Sequence, residues 1–204
     1  MSAVSCTATV GRPRAFDMQA ALEKALDVFW TKGYDGASLS DLTSAMGINK
    51  PSLYSAFGNK EQLFLKAIEF YESRPCGFFK PALEQATAYD VAKFMLLGAA
   101  QSMSDTSHPQ GCVMVQGALA CSEAAAGVKE VLISRRQQSE SEVRDRFELA
   151  KNQGDLSKDE DSEALARYLC TVINGIAIQA SSGATEEQLV EVAHMALKSF
   201  PRNS

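Results

Sequence analysis

Apolar residues recur along this chain at intervals of three and four, and no stretch sustains alternation of period two, a pattern that predicts helices and no sheet. The first stripe joins Met18, Ala21, Leu22, Ala25, Leu26 and Phe29, predicting a helix from about Asp17 to Lys32 that stops at Gly33. Leu39, Leu42 and Met46 then share one face of a short helix, and Ala45 beside them is small enough to admit a crossing helix. Gly47 ends that helix, because glycine accepts the positive φ that follows a helix terminus, and Ile48 turns inward at the corner. A third helix follows at once. Asn49 is its N-cap, Pro51 occupies the first turn where a missing N–H does no harm, and Leu53 with Phe57 forms the inward pair. Lys50, Ser52, Tyr54 and Ser55 are left facing outward. After Gly58, Asn59 and Gln62 form a capping-box pair that opens a fourth helix bearing Leu63, Phe64, Ala67, Ile68 and Tyr71 and limited by Pro75.

Beyond it the pattern predicts helices near 81–87, 90–103, 109–121, 127–153, 159–180 and 185–200, the last opened by a Thr185–Gln188 capping box. In the penultimate helix Leu165, Leu169, Val172, Ile173, Ile176, Ala177 and Ala180 cover more than one face. With Leu189, Val192, Ala193, Ala196 and Leu197 they exceed what one small core hides, which predicts a homodimer joined by a four-helix interface, two helices from each subunit.

A short helix, a tight turn and a second helix with a polar outer face form a device for reading DNA. Phe29, Gly33-Tyr34, Ser38-Leu39, Asp41-Leu42, Ala45, Gly47-Ile48, Leu53-Tyr54, Phe57, Lys60-Glu61 and Leu63 follow in order and spacing the N-terminal signature of the tetracycline-repressor-like (TetR) family, which the segment from Phe16 to Leu65 resembles. The resemblance implies an all-α protein: a flexible basic arm (1–15), a three-helix helix-turn-helix DNA-binding domain (16–66), and a helical C-terminal domain (67–204) for ligand binding and dimerisation. It also implies a repressor, without catalytic residues, bound metal or cofactor, released from a palindromic operator when a small molecule occupies the C-terminal domain.

The composition is compatible with this assignment only when the charge is divided along the chain. The net charge is −5, yet residues 1–66 hold seven Lys/Arg against six Asp/Glu, or +1, leaving thirteen against nineteen, or −6, for the rest. Phosphate binding requires a local cluster of cations, and an acidic remainder discourages indiscriminate attachment to nucleic acid. At 204 residues and 46% hydrophobic content the chain can bury a substantial core. No basic-then-apolar leader and no run of roughly 20 apolar residues appears, so a cytoplasmic protein without membrane contact is expected. Five scattered cysteines without C-x-x-C spacing predict reduced thiols.

In the resemblance the helix from Lys50 to Phe57 enters the major groove. Lys50 can donate to guanine, Ser52 and Ser55 can reach a base edge or a phosphate, and Ser38 at the start of the preceding helix joins the candidate contacts. Tyr54 and Lys60 match positions at which relatives grasp phosphate, although Tyr54 is also readable as half-buried core. Lys60 stands in a first helical turn, where free N–H groups and the dipole favour an anion. Arg12 and Arg14 resemble the arm that relatives insert into a minor groove.

Reception of a signal is assigned to the C-terminal part. Phe94, Phe147, Gln116 and Asn174 are candidates to line an apolar cavity with few polar partners, and ordinary core packing is the competing reading. Cys112, if Pro109 opens the helix over 109–121, lies near its positive end, where a thiolate is favoured. With Cys121 it resembles the corresponding segment in electrophile- or oxidant-sensing members, giving the alternative of a repressor switched by thiol modification. A direct Cys112–Cys121 disulfide would distort a helix, since the two are about two and a half turns apart. His108-x3-Cys112 is also readable as a pair of metal ligands. No nucleotide-binding, zincin or serine-hydrolase motif is present, so an enzyme, or a helical interaction protein without DNA binding, are the rival classes.

Overall fold

Side-chain caps fix where most of the helices start. The computed structural model describes residues 17–73, 77–119 and 122–202. Among these there are ten α-helices and no strand: α1 (Met18–Gly36), α2 (Leu39–Met46), α3 (Lys50–Phe57), α4 (Lys60–Glu72), α5 (Phe79–Leu83), α6 (Ala88–Ser104), α7 (Val113–Leu119), α8 (Ala126–Gln153), α9 (Ser162–Ser181) and α10 (Glu186–Lys198). Asp17, Ser38, Asn49, Asn59, Thr87, Asp161 and Thr185 each accept a first-turn backbone N–H, so seven helices start where a short oxygen-bearing side chain precedes an apolar stripe. Asn59–Gln62 and Thr185–Gln188 form capping boxes, as expected.

The break expected at Gly33 is present as a reversal within α1. Gly33 adopts φ 71° and ψ 171°, after which a single further turn runs to Gly36 and the Ala37 N–H returns to the Gly33 carbonyl at 3.2 Å. Two expected helices move. The one near 81–87 is displaced to Phe79–Leu83, because the carbonyls of Leu83, Gln85 and Ala86 accept from the Arg146 guanidinium instead of continuing a helix. The one expected from Pro109 starts only at Val113. Gly111 has φ +90°, its N–H donates to the Met103 carbonyl at 2.8 Å, and a Cβ there would lie 2.8 Å from the Ala177 carbonyl, so this segment is held extended against α9.

Buried side chains form two clusters. One joins α6, α9, α10 and the C-terminal half of α8 around Met95, Leu96, Phe147, Leu169, Ile176 and Phe200. The other holds Leu26, Phe29, Leu42, Leu53, Phe57 and Phe64 of the first four helices, and is completed by Val113 of α7 and Val128 and Leu132 of α8. The N-terminal head therefore packs on the body through a shared apolar core.

Candidate nucleic-acid interface

The turn between α2 and α3 follows from local chemistry. Asp41 accepts from the Ser38 N–H at 3.0 Å while Ser38 Oγ accepts from the Asp41 N–H at 3.0 Å, a reciprocal cap that also binds Lys32 Nζ to Asp41 at 2.6 Å. The Lys32 ammonium, aided by the Ser38 hydroxyl and N–H, holds the Asp41 carboxyl down at about 2. Ser38 is exposed, yet its hydroxyl is already committed to this cap. Gly47 closes α2 at φ 66°, and Asn49 caps α3 by accepting from the Ser52 N–H at 2.8 Å. Leu42, Met46, Leu53 and Phe57 are buried and Ile48 packs against them; Ala45, expected to sit against a crossing helix, is exposed.

With Leu53 and Phe57 inward, α3 presents Lys50, Tyr54 and Ser55 exposed and Ser52 half-buried on its outer side. Tyr54 is 49% exposed, which rejects its reading as core. Lys60 stands at the start of α4, its Nζ 4.6 Å above the Tyr34 ring and 3.4 Å from the Asp35 carbonyl. Partial burial lowers its pKa while the nearby Asp35 raises it. Arg12 and Arg14 lie outside the described residues.

Behind this surface, α1 and α4 meet the body at an aromatic and polar junction that sequence reasoning missed. Trp30 stacks on His108 with ring centroids 5.0 Å apart, meets Tyr71 edge to face at 5.1 Å, and donates from Nε1 to Gln116 Oε1 at 3.0 Å. Tyr71 donates its hydroxyl to Cys112 Sγ at 3.7 Å. At the edge of the junction, Asp35 accepts from the Ser122 N–H at 2.6 Å, and Arg135 pairs with Glu72 at 2.8 Å. Burial raises the Glu72 pKa, and Arg135 opposes the shift. Periodicity gave no sign of these pairings, because the partners are distant in sequence.

Residues 21–67 match the family model for bacterial regulatory proteins of the tetR family. The HTH-type transcriptional repressor ComR of Escherichia coli (strain K12) is 31% identical over 193 residues, covering 94% of this chain and 92% of ComR. The chain belongs to the TetR family. A second relative, the HTH-type transcriptional repressor BdcR of the same organism, is 27% identical over 187 residues, 91% of this chain and 90% of its own. Among solved structures, a cysteine mutant of the TetR-family transcriptional regulator CifR, complexed with 26-bp double-strand operator DNA, superposes with a TM-score of 0.89 at 37% identity, over 93% of this chain and 100% of that one. TetR proteins are DNA-binding regulators rather than enzymes, and no described helix here is long and apolar enough to cross a membrane.

Of the effector candidates of this TetR protein, Cys112 and Gln116 stand one turn apart, whereas Phe94 is exposed and Phe147 buried. Phe94 is 40% exposed in an open groove along α6 that Gln85 borders, rather than in an internal cavity, because α6 turns Met95, Leu96 and Ala99 inward instead. Phe147 is fully buried and packs on Phe200 with centroids 5.4 Å apart. Gln116 has its amide engaged, accepting from Trp30 and donating to the Gln110 carbonyl at 3.4 Å. Asn174 is half-buried on α9. Cys112 is buried immediately before α7 rather than inside a helix opened by Pro109, and its carbonyl accepts the Gln116 N–H at 3.0 Å. Cys121 lies outside the described residues. His108 stacks on Trp30 with Nδ1 3.0 Å from the Pro109 carbonyl, and no group of three or more metal-ligating side chains occurs among the described residues. Cys170 is half-buried, its thiol pushed up to about 12 by burial and by Glu140.

Proposed function

We propose that this chain works as a homodimeric repressor that grips a palindromic operator with α3 and is released when the body binds a small-molecule effector. The observation that carries the reading is the exposed face of Lys50, Tyr54 and Ser55 on a capped, short α3, with Lys60 at the adjoining helix start, in a fold shared at 37% identity with an operator-bound regulator. Lys50 and Ser55 would meet base edges, while Tyr54 and Lys60 would hold phosphates and so fix register. Ser38 would contribute only if its hydroxyl left the Asp41 cap, and Arg12 and Arg14 would enter the minor groove. For the dimer, Ile178 on α9 and Val192 and Met195 on α10 stand 44%, 44% and 61% exposed beside a cleft lined by Val172, Ile176 and Leu189.

The test is a mobility-shift titration with duplex flanking the protein's own gene against random duplex, at physiological ionic strength, together with sedimentation. Preference for the gene-flanking fragment and a dimeric mass support the reading. A stable monomer at micromolar concentration, or no preference over random duplex, removes it.

One observation favours a thiol-switched variant of the same repressor. Cys112 stands where the Tyr71 hydroxyl of α4 meets the body, so a substituent on Sγ would displace the helix that carries Lys60. Full release of Cys112→Ser from DNA by every thiol reagent that releases the wild type would end this variant.

A further inference from the structure

The stretch that leads into α8 meets two carboxylates of the head near Lys60. The Ser122 N–H donates to the Asp35 carboxylate at 2.6 Å, across 87 residues of chain, and the backbone at Gly127 in the first turn of α8 faces Glu61, with a Cβ there 3.6 Å from Glu61 Oε1. A carboxylate facing the start of a 28-residue helix complements its dipole. Asp35 belongs to the single turn after the Gly33 reversal, and that turn is not loose. Ala37 is fully buried, the Tyr34 ring packs on Phe64 at 5.3 Å, and the same ring lies 4.6 Å beneath Lys60 Nζ. The Asp35 backbone carbonyl completes the seat of the lysine at 3.4 Å. One residue thus presents its carboxylate to the body and its carbonyl to the lysine.

The geometry points to Asp35 as a positioning residue: through the Ser122 amide it ties the phosphate-facing edge of the reading head to the loop that leads into α8, so the body dictates where that edge stands. A short, charge-assisted bond suits this role because it holds direction as well as distance. The inference rests on the dimeric-repressor reading above. Operator recognition needs two heads at one separation, whereas random duplex is bound by phosphate contacts that tolerate many. Loss of the tie should therefore lower preference for operator more than general affinity.

Duplexes are first enriched from random sequence by the wild-type dimer, and affinities for the enriched and a random duplex are then measured for Ser122→Pro, Asp35→Ala, Asp35→Asn and the double variant. Ser122→Pro removes the donor and leaves the charge of the head untouched; the φ of −72° at Ser122 suits proline. Asp35→Ala removes a negative charge, which strengthens binding to both duplexes alike and cancels in their ratio. The expected result is a fivefold or greater fall in the enriched-to-random ratio for Ser122→Pro and for Asp35→Ala, no further fall in the double variant, and most of the ratio kept by Asp35→Asn, which retains an acceptor oxygen. A ratio within twofold of wild type for both single variants overturns the assignment, as does a lowered melting temperature with the ratio unchanged. If the wild type enriches no duplex, the repressor reading itself fails, a result separate from any effect of the variants.

Discussion

The indole nitrogen of Trp30 donates to Oε1 of Gln116 at 3.0 Å, joining α1 of the head to α7 of the body across 86 residues of sequence. Trp30 is only 5% exposed and Gln116 is half-buried, so the bond is shielded from water on the indole side. Gln116 passes the connection on through its Nε2 to the Gln110 carbonyl, in the extended segment that Gly111 presses against α9. A displacement of α9 relative to α7 therefore reaches α1 through packed and hydrogen-bonded atoms.

Removing one partner of this pair leaves the other without its bond in a part-buried site. Trp30→Phe and Gln116→Leu should each destabilise the fold by about 1–3 kcal/mol in denaturant unfolding, the first with an added loss of packing. The double variant should cost less than the sum, because neither the indole N–H nor the Gln116 oxygen is then left without the other. Strict additivity would show that the bond contributes nothing.

Asp41 makes the head sensitive to acid. Its carboxyl titrates at about 2 in the fold, held there by Lys32 and Ser38, against an ordinary value of 3.8. A depressed folded value means stability that is present above pH 4 and is lost as pH falls from about 4 through about 2. Asp41→Asn should flatten the pH dependence of unfolding in that window and leave it unchanged near neutrality, and NMR titration of the Asp41 carboxyl should give a midpoint near 2.

Phe147 fills the centre of the body core with no exposed surface. Phe147→Ala should cost about 3–5 kcal/mol by calorimetry or denaturant unfolding, the range for an aromatic cavity that cannot collapse. Phe94→Ala, on the open face of α6, should cost well under about 1 kcal/mol. Comparable losses at the two positions would contradict the burial of Phe147 on α8 and the exposure of Phe94 on α6.

Lys60→Ala should weaken binding to every duplex alike and lower the slope of log affinity against log salt by about one, as expected when one phosphate contact is lost. An unchanged slope would take Lys60 off the contact surface and leave its cation–π seat on Tyr34 as its whole role.

What the chain's order of residues determined by itself was nearly everything within one or two turns of helix. Asn49, Asn59 and Thr185 cap as read, Gly33 and Gly47 break helices as read, and Leu53 and Phe57 face inward, because each depends on atoms no more than about four residues away. The TetR family was legible for the same reason, since its signature is a run of such local requirements. Where local pattern leaves two outcomes open, the tertiary structure decided. Pro109 had all the marks of a helix start, but Gly111 is pinned between Met103 and Ala177, which only packing brings together. Phe94 on α6 and Phe147 on α8 look alike in sequence and part company only when the helices pack, which turns Phe147 into the core and leaves Phe94 outside it. The pairs Trp30–Gln116 and Asp35–Ser122 carry no periodic signal at all, because a hydrogen bond between segments more than eighty residues apart is set by how helices stack and by nothing in the residues beside either end.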